Sequence, residues 1–166
     1  NDGRVNVFVS LPRERFRAAR SRGFAALHRQ VLSEISPELA ARTSELLDEP
    51  GTLSPDALEE LVRRLADRPD LWQPLVVVDR ERRRYELLYD DERVDIWVLS
   101  WMPDQQTGFH DHDRSAVGLV CVRGELSERS LAVATEAETV RMTPGISRSG
   151  AGGSPASHAC RKSGRW

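Results

Sequence analysis

The chain of 166 residues is 39% hydrophobic and 30% charged, a composition that allows one packed domain and argues against wholesale disorder. Its formal net charge of −2 argues against binding nucleic acid or anionic membranes through bulk charge. No apolar run approaches the roughly 18 residues of a membrane span, and the first residues carry no apolar signal segment. Cys121 and Cys160 are its two cysteines, which excludes a disulfide scaffold. We therefore expect a cytoplasmic domain.

Residues 1–70 carry helix signals and predict a helical segment that packs on the rest of the domain. The pairs Ser36-Pro37 and Ser54-Pro55 each combine a serine N-cap with a proline in the first turn. The second pair precedes an apolar stripe from Leu58 to Leu65 at helical spacing, and Pro69 ends the pattern. This stripe predicts a helix with one face against the core.

Residues 71–145 predict short strands. The runs at 94–101 and 116–122 are rich in β-branched and aromatic residues, and Pro103 and Gly124 mark the turns that follow them. Several short strands at this spacing indicate an antiparallel sandwich or a small barrel. Helices followed by strands make the predicted fold class α+β, mainly β.

Residues 146–166 differ from the rest of the chain in composition. From Pro144 onward there is no acidic residue, and Gly, Ser, Ala and Arg replace the alternation of apolar and polar residues. Such a segment has little to bury, so we expect an irregular Gly/Ser-rich tail.

His110-Asp111-His112 is the strongest chemical signal in the chain. On a strand, residues two apart point to the same face, so both imidazoles can reach one metal ion while Asp111 points away. Imidazole suits iron, zinc, nickel and copper, so the pair does not by itself select the metal. Two histidines at this spacing also occur without any metal, on a surface or in a core.

The two histidines stand within a longer pattern, made of Trp101, Met102, Pro103, Thr107, Gly108, Phe109, His110, Asp111, His112, Ser115, Gly124 and Glu128. This pattern resembles the metal-binding segment of the cysteine dioxygenase family. The spacing of the wider cupin motif is kept, but Val117 stands where that motif has a metal-binding Glu, and Asp104 where it has its first Gly. Loss of this Glu is characteristic of thiol dioxygenases, whose iron is held by three histidines. The resemblance covers about residues 54–145.

The resemblance implies a fold, a reaction and a cofactor. The fold is a cupin barrel, also called a double-stranded β-helix or jelly roll, over residues 71–145, incomplete at the C-terminus. The reaction is that of a non-haem Fe(II) thiol dioxygenase, which oxidises the thiol of cysteine or a similar small thiol acid to a sulfinic acid with O2. Its partners are a small thiol substrate and O2, with no nucleic acid and no membrane.

The resemblance also assigns site residues. His110 and His112 match the first two iron ligands, and His158, the one histidine downstream of them, is the candidate for the third. Arg84 matches the arginine that binds the substrate carboxylate, with Arg82 and Arg83 as alternatives. No Tyr follows Tyr89, so the family's catalytic tyrosine has no counterpart and the catalytic residues are unknown.

Two further hypotheses concern the whole chain. The change of composition after Pro144-Gly145 suggests an aberrant or truncated C-terminus, with a shift of reading frame near Arg148, so that 149–166 do not represent the family's native end. The alternative to an enzyme is a non-catalytic cupin-type domain that binds a metal or ligand, or a structural domain in which the histidines have no role.

Overall fold

The computed structural model describes residues 4–10, 36–47, 51, 53–106, 116–130, 138–150 and 156–159. At 6, 8–10, 130 and 156–159 it describes the backbone alone. The helices are α1 (Pro37–Ser44), α2 (Pro55–Ala66) and α3 (Pro69–Trp72), followed by a 3-10 turn at Gln73–Leu75. The strands are β1 (Arg4–Ser10), β2 (Arg84–Asp90), β3 (Asp95–Trp101), β4 (Val117–Arg123), β5 (Leu126–Ser130), β6 (Glu138–Met142), β7 (Ser147–Gly150) and β8 (Ala156–Ala159). Within these ranges no helix is long and apolar enough to cross a membrane.

The two predicted helix starts are confirmed. The Oγ of Ser36 accepts a hydrogen bond from the backbone N–H of Leu39, and that of Ser54 accepts one from Ala57, at 3.4 and 3.2 Å. These bonds satisfy N–H groups that the first helical turn would otherwise leave unpaired. The apolar stripe of α2 is buried as expected, from Leu58 to Leu65.

The strands form two antiparallel sheets. In the described part of the chain the first sheet has the order β2-β3-β1-β4-β7, and the second has the order β6-β5-β8. The predicted class, α+β and mainly β, is confirmed.

β1 differs from the helical segment predicted for residues 1–70. Val5, Val7 and Val9 alternate with other residues, which is the two-residue period of a strand. The strand lies in the middle of the first sheet, where Val7 is opposite both Val98 of β3 and Val120 of β4. The beginning of the chain therefore completes the centre of a sheet whose other strands come at least 70 residues later.

Two apolar clusters fix how the layers stack. The helices cover one face of the first sheet, where Leu58 and Val62 of α2 pack with Val7, Val98 and other buried residues. The second sheet covers the other face through a smaller cluster of Trp101, Leu119, Cys121, Leu126 and Met142. The first sheet is thus the middle layer, with helices on one side and the space between the sheets on the other.

The contact of α2 with the sheet depends on Gly118 of β4. A Cβ atom at this position would lie 2.7 Å from the backbone oxygen of Leu58. Because the helix backbone is this close, any larger residue would push α2 away from the sheet.

β7 and β8 differ from the irregular tail predicted for 146–166. β7 pairs with β4, and the hydroxyls of Ser147 and Ser149 each donate a 3.0 Å hydrogen bond to Glu59 of α2. β8 pairs with β5. The physical reason for the difference is that β4 and β5 offer unpaired edges, so a polar segment without apolar alternation can still gain backbone hydrogen bonds.

The turn between β2 and β3 is held by Asp91. Its Oδ1 accepts hydrogen bonds from the backbone N–H groups of Arg93 and Val94 at 2.7 and 2.9 Å, and its Oδ2 accepts one from the hydroxyl of Tyr89 at 3.1 Å. Burial alone raises the pKa of the Asp91 carboxyl, but these hydrogen bonds outweigh burial and the net pKa lies below its ordinary value.

We expect Asp91→Ala to lower the free energy of unfolding by about 1–3 kcal/mol, because two partly buried N–H donors lose their acceptor. A lowered pKa stabilises the fold above the pKa of an unfolded aspartate, about 3.9, and this contribution is lost as the pH falls through the lower folded value. Urea unfolding at pH 7 and pH 3 measures both effects. Asp91→Asn keeps an acceptor without a charge, so its free energy of unfolding should depend less on pH than that of the wild type. An equal change between pH 7 and pH 3 in both proteins would contradict this account.

Candidate functional site

The space between the two sheets is the part of the fold where the predicted chemistry can be placed. Its walls are apolar: Trp101 and Leu119 come from the first sheet, and Leu126 and Met142 from the second. Cys121 is fully buried in the same cluster, as expected for a small apolar residue rather than a reactive thiol. Charged side chains on these inner faces are therefore the exceptions that call for an explanation.

His110 and His112 lie outside the described residues, so their predicted positions stay predictions. The turn that leads toward them is described. Asp104 has a φ of 72°, in the left-handed region that favours glycine, which gives a physical reason for the glycine of the wider motif at this position. The side-chain amide of Gln105 donates a 3.0 Å hydrogen bond to the backbone oxygen of Asp79 and holds the turn in place.

His158 lies on β8, directly opposite Glu128 of β5 in the strand register. Its backbone is therefore part of the second sheet, on the strand next to β5. Among the described residues, no group of three or more His, Cys, Asp and Glu side chains is arranged to hold a metal ion.

Arg84, the predicted ligand of a substrate carboxylate, points away from the space between the sheets. In the register of β2 and β3 it is opposite Ser100, on the face that carries the buried Ile96 and Val98 toward the helices. Its guanidinium is 3.2 Å from Glu86 and 3.9 Å from Asp79. The charge of Arg84 is thus already balanced by carboxylates of the protein itself.

Arg83 lies on the other side of the first sheet from Arg84, next to the apolar cluster between the sheets. Its guanidinium carbon lies 4.8 Å from the ring centre of Trp101, which is almost fully buried in the cluster between the sheets. The side chain is half-buried, and burial lowers the pKa of the Arg83 guanidinium. Within the described ranges it has no carboxylate partner, whereas the exposed Arg82 lies 3.4 Å from Asp79.

Glu128 and Arg148 form an ion pair across the space between the sheets. The Nε of Arg148, on β7 of the first sheet, is 3.3 Å from the Oε2 of Glu128, on β5 of the second. The side chain of Glu128 is 14% exposed, and burial raises the pKa of its carboxyl while Arg148 opposes this shift. The resemblance includes Glu128 among its matching residues but gives no role to it or to Arg148. The available signal was a charge two positions after Leu126, on the same face of its strand.

The model of the family described as cysteine dioxygenase type I matches residues 41–150. The match therefore includes α2, β2 to β7 and the segment with His110 and His112. A comparison with curated proteins finds no match. The match covers well over half of the chain, and the chain belongs to the cysteine dioxygenase family, a family of thiol dioxygenases.

Proposed function

We propose that this protein is a non-haem Fe(II) enzyme that oxidises cysteine or a similar small thiol acid with O2 to a sulfinic acid. The observation that carries the proposal is the family match over residues 41–150, which contains the pair His110 and His112. The fold supports it, because an apolar cluster between two sheets can exclude water from a substrate bound beside it.

The iron would be held by His110, His112 and His158. Neutral imidazoles are suitable ligands for iron(II). Of these three ligands, position 158 has a described backbone, on β8 next to β5, and the side chains of all three lie outside the described residues. When bound, iron(II) supplies open coordination positions on one side and the redox chemistry with O2.

In this proposal Arg83, rather than Arg84, binds the carboxylate of the substrate. Arg83 is partly desolvated against Trp101 and lacks a carboxylate partner among the described residues, so a substrate carboxylate would supply the missing charge. A guanidinium can hold a carboxylate through two parallel hydrogen bonds and thus orient it. Arg84 already contacts Glu86 and Asp79, and a substrate would have to compete with both.

We expect Arg83→Ala to raise the KM for cysteine about 10- to 100-fold, because a hydrogen bond to a charged group contributes about 1.5–3 kcal/mol. Arg84→Ala, the matched control, should change KM less than about twofold. Steady-state O2 consumption measures both values. Arg83→Ala should leave the KM for 2-aminoethanethiol unchanged, because this thiol has no carboxylate. If Arg84→Ala raised the KM for cysteine more than Arg83→Ala does, Arg84 would be the binding residue.

The alternative is a non-catalytic metal- or ligand-binding domain, and the observation in its favour is that no Tyr follows Tyr89. Anaerobic loading with Fe(II), followed by O2 uptake with and without cysteine or 3-mercaptopropionate, separates the two. The proposed enzyme consumes O2 with the thiol present and gives a product that mass spectrometry shows to have gained two oxygen atoms. Stoichiometric iron without thiol-dependent uptake would establish the alternative.

The proposal also places the protein in the cytoplasm. A reducing compartment keeps thiols such as Cys121 and a small thiol substrate in the reduced form.

A further inference from the structure

The inner face of β2 and β3 carries aromatic side chains next to Arg83. The pairing of the two strands places Tyr85 opposite Leu99. The same register, continued by one pair, places Arg83 opposite Trp101, in agreement with the 4.8 Å between the guanidinium carbon and the ring centre. Residues two apart on a strand share a face, so Arg83 and Tyr85 project to the same side of the sheet.

The aromatic surface is buried at one end and open at the other. Trp101 is 2% exposed, whereas Tyr85 is 59% exposed. The rings of Tyr85 and Trp97 meet edge to face, with their centres 6.0 Å apart and their planes at 65°. A tyrosine ring that packs on a neighbouring ring and is open to solvent offers a ligand apolar surface at a small cost in side-chain entropy.

Arg83 supplies the charge at the buried end of this surface. Burial lowers the pKa of the Arg83 guanidinium and Tyr85 opposes this shift, so the two side chains lie within electrostatic reach of each other. No carboxylate of the described residues pairs with Arg83. A half-buried cation without a counter-ion is costly, and a bound anion relieves that cost. The charge therefore favours an anionic ligand at this place.

A ligand with both a carboxylate and an aromatic ring is complementary to the two features. Small-molecule sites are mostly apolar, with a few polar groups that fix the orientation of the ligand. Positions two apart on a strand are separated by roughly 6–7 Å. A ring joined to a carboxylate through two methylene groups spans a comparable distance, so one end can reach Arg83 while the other packs on Tyr85.

We propose that Arg83 and Tyr85, with Trp97 and Trp101 behind them, form a binding site for an aromatic carboxylate. Arg83 holds the carboxylate through its N–H donors, and the ring of the ligand packs on the ring of Tyr85. The inference rests on the proposed function in one respect, since it takes Arg83 as the ligand of a carboxylate. It extends the acids that the site accepts beyond those of the size of cysteine.

The experiment is a ligand-observed NMR titration of the full chain with 3-phenylpropanoate, without thiol and without added iron. Propanoate has the same carboxylate without the ring, and 3-phenylpropanamide has the same ring without the charge. We expect 3-phenylpropanoate to bind about 10-fold more tightly than either of them, because ring packing and a charged hydrogen bond each contribute about that factor. Equal affinities for 3-phenylpropanoate and propanoate would overturn the inference.

Two pairs of variants test the two contacts separately. Arg83→Gln should lose the preference for the carboxylate over the amide, whereas Arg84→Gln, the matched control, should keep it. Tyr85→Ala should lose the preference for 3-phenylpropanoate over propanoate, whereas Tyr85→Phe retains the ring and should keep it. If Tyr85→Ala kept this preference, or if Tyr85→Phe lost it as well, the ring would not be the contact and the inference would fail.

The result is independent of dioxygenase activity, because the probes contain no thiol. If 3-phenylpropanoate did not bind while Arg83→Ala raised the KM for cysteine, this inference would be wrong and the proposed function would stand. If 3-phenylpropanoate bound to a chain without thiol-dependent O2 uptake, the binding site would be supported and the proposed function would be wrong.

Discussion

Replacing Val7 with Asp is expected to abolish cooperative folding. Val7 is fully buried in the central strand of the first sheet, between Val98 and Val120, and packs on the face that the helices cover. A carboxylate at this position would have no described charge partner, and the effective cost of burying an unpaired charge is several kcal/mol. Since a whole domain is stable by about 5–15 kcal/mol, one such change removes most of that margin.

The measurement is thermal and urea unfolding followed by circular dichroism. Thr139→Asp introduces the same charge at an exposed position of β6 and should change the free energy of unfolding by less than about 0.5 kcal/mol. If Val7→Asp unfolded at the temperature of the wild type, β1 would not be the central strand of the sheet. Another segment of the chain would then have to form the central strand of the first sheet.

The parts of the fold that the sequence predicted are those whose signals are local. The helix α2 has a serine cap, a proline in its first turn and an apolar stripe, all within 12 residues. Strand β3 is rich in β-branched and aromatic residues, and β4 carries three valines within an apolar run. In these segments local preference and burial agree, and the structure follows the prediction.

β1, β7 and β8 were missed because their stability comes from distant partners. The alternation of Val5, Val7 and Val9 is a strand signal, but it is short and lies in a region that otherwise indicates helices. β7 has no apolar alternation, and it is held by backbone bonds to β4 and by the carboxylate of Glu59. No window of sequence around residues 147–150 contains that information.

The candidate arginine shows a different limit of sequence reasoning. A gapless comparison with the family pattern selects Arg84, yet successive residues near a strand point to opposite faces, so a shift of one position changes the face. The register with Ser100 places Arg84 toward the helices, whereas Arg83 contacts Trp101 on the inner face. The pairing of β2 with β3 therefore shows which face of the sheet each arginine occupies, and the role of either in substrate binding stays a prediction.

Alanine in place of His110 or of His112 is expected to abolish stoichiometric iron binding. If the two imidazoles and His158 are the protein ligands, each substitution removes one of three. The loss should therefore exceed the 10- to 100-fold that is typical of removing a residue that merely supports a ligand. Thiol-dependent O2 uptake should fall with the iron content, because in this proposal the iron supplies the chemistry with O2.

Iron per chain after anaerobic loading and desalting, measured by plasma mass spectrometry, tests this expectation. Asp111→Ala is the matched control: it lies between the two histidines, and on a strand its side chain points to the opposite face. The Asp111→Ala variant should therefore retain iron, although the substitution changes the same stretch of chain. If both histidine variants kept one iron per chain, the metal would be bound elsewhere. If Asp111→Ala also lost the metal, the loss would reflect the backbone of this segment rather than the imidazoles, and the pair would no longer count as ligands.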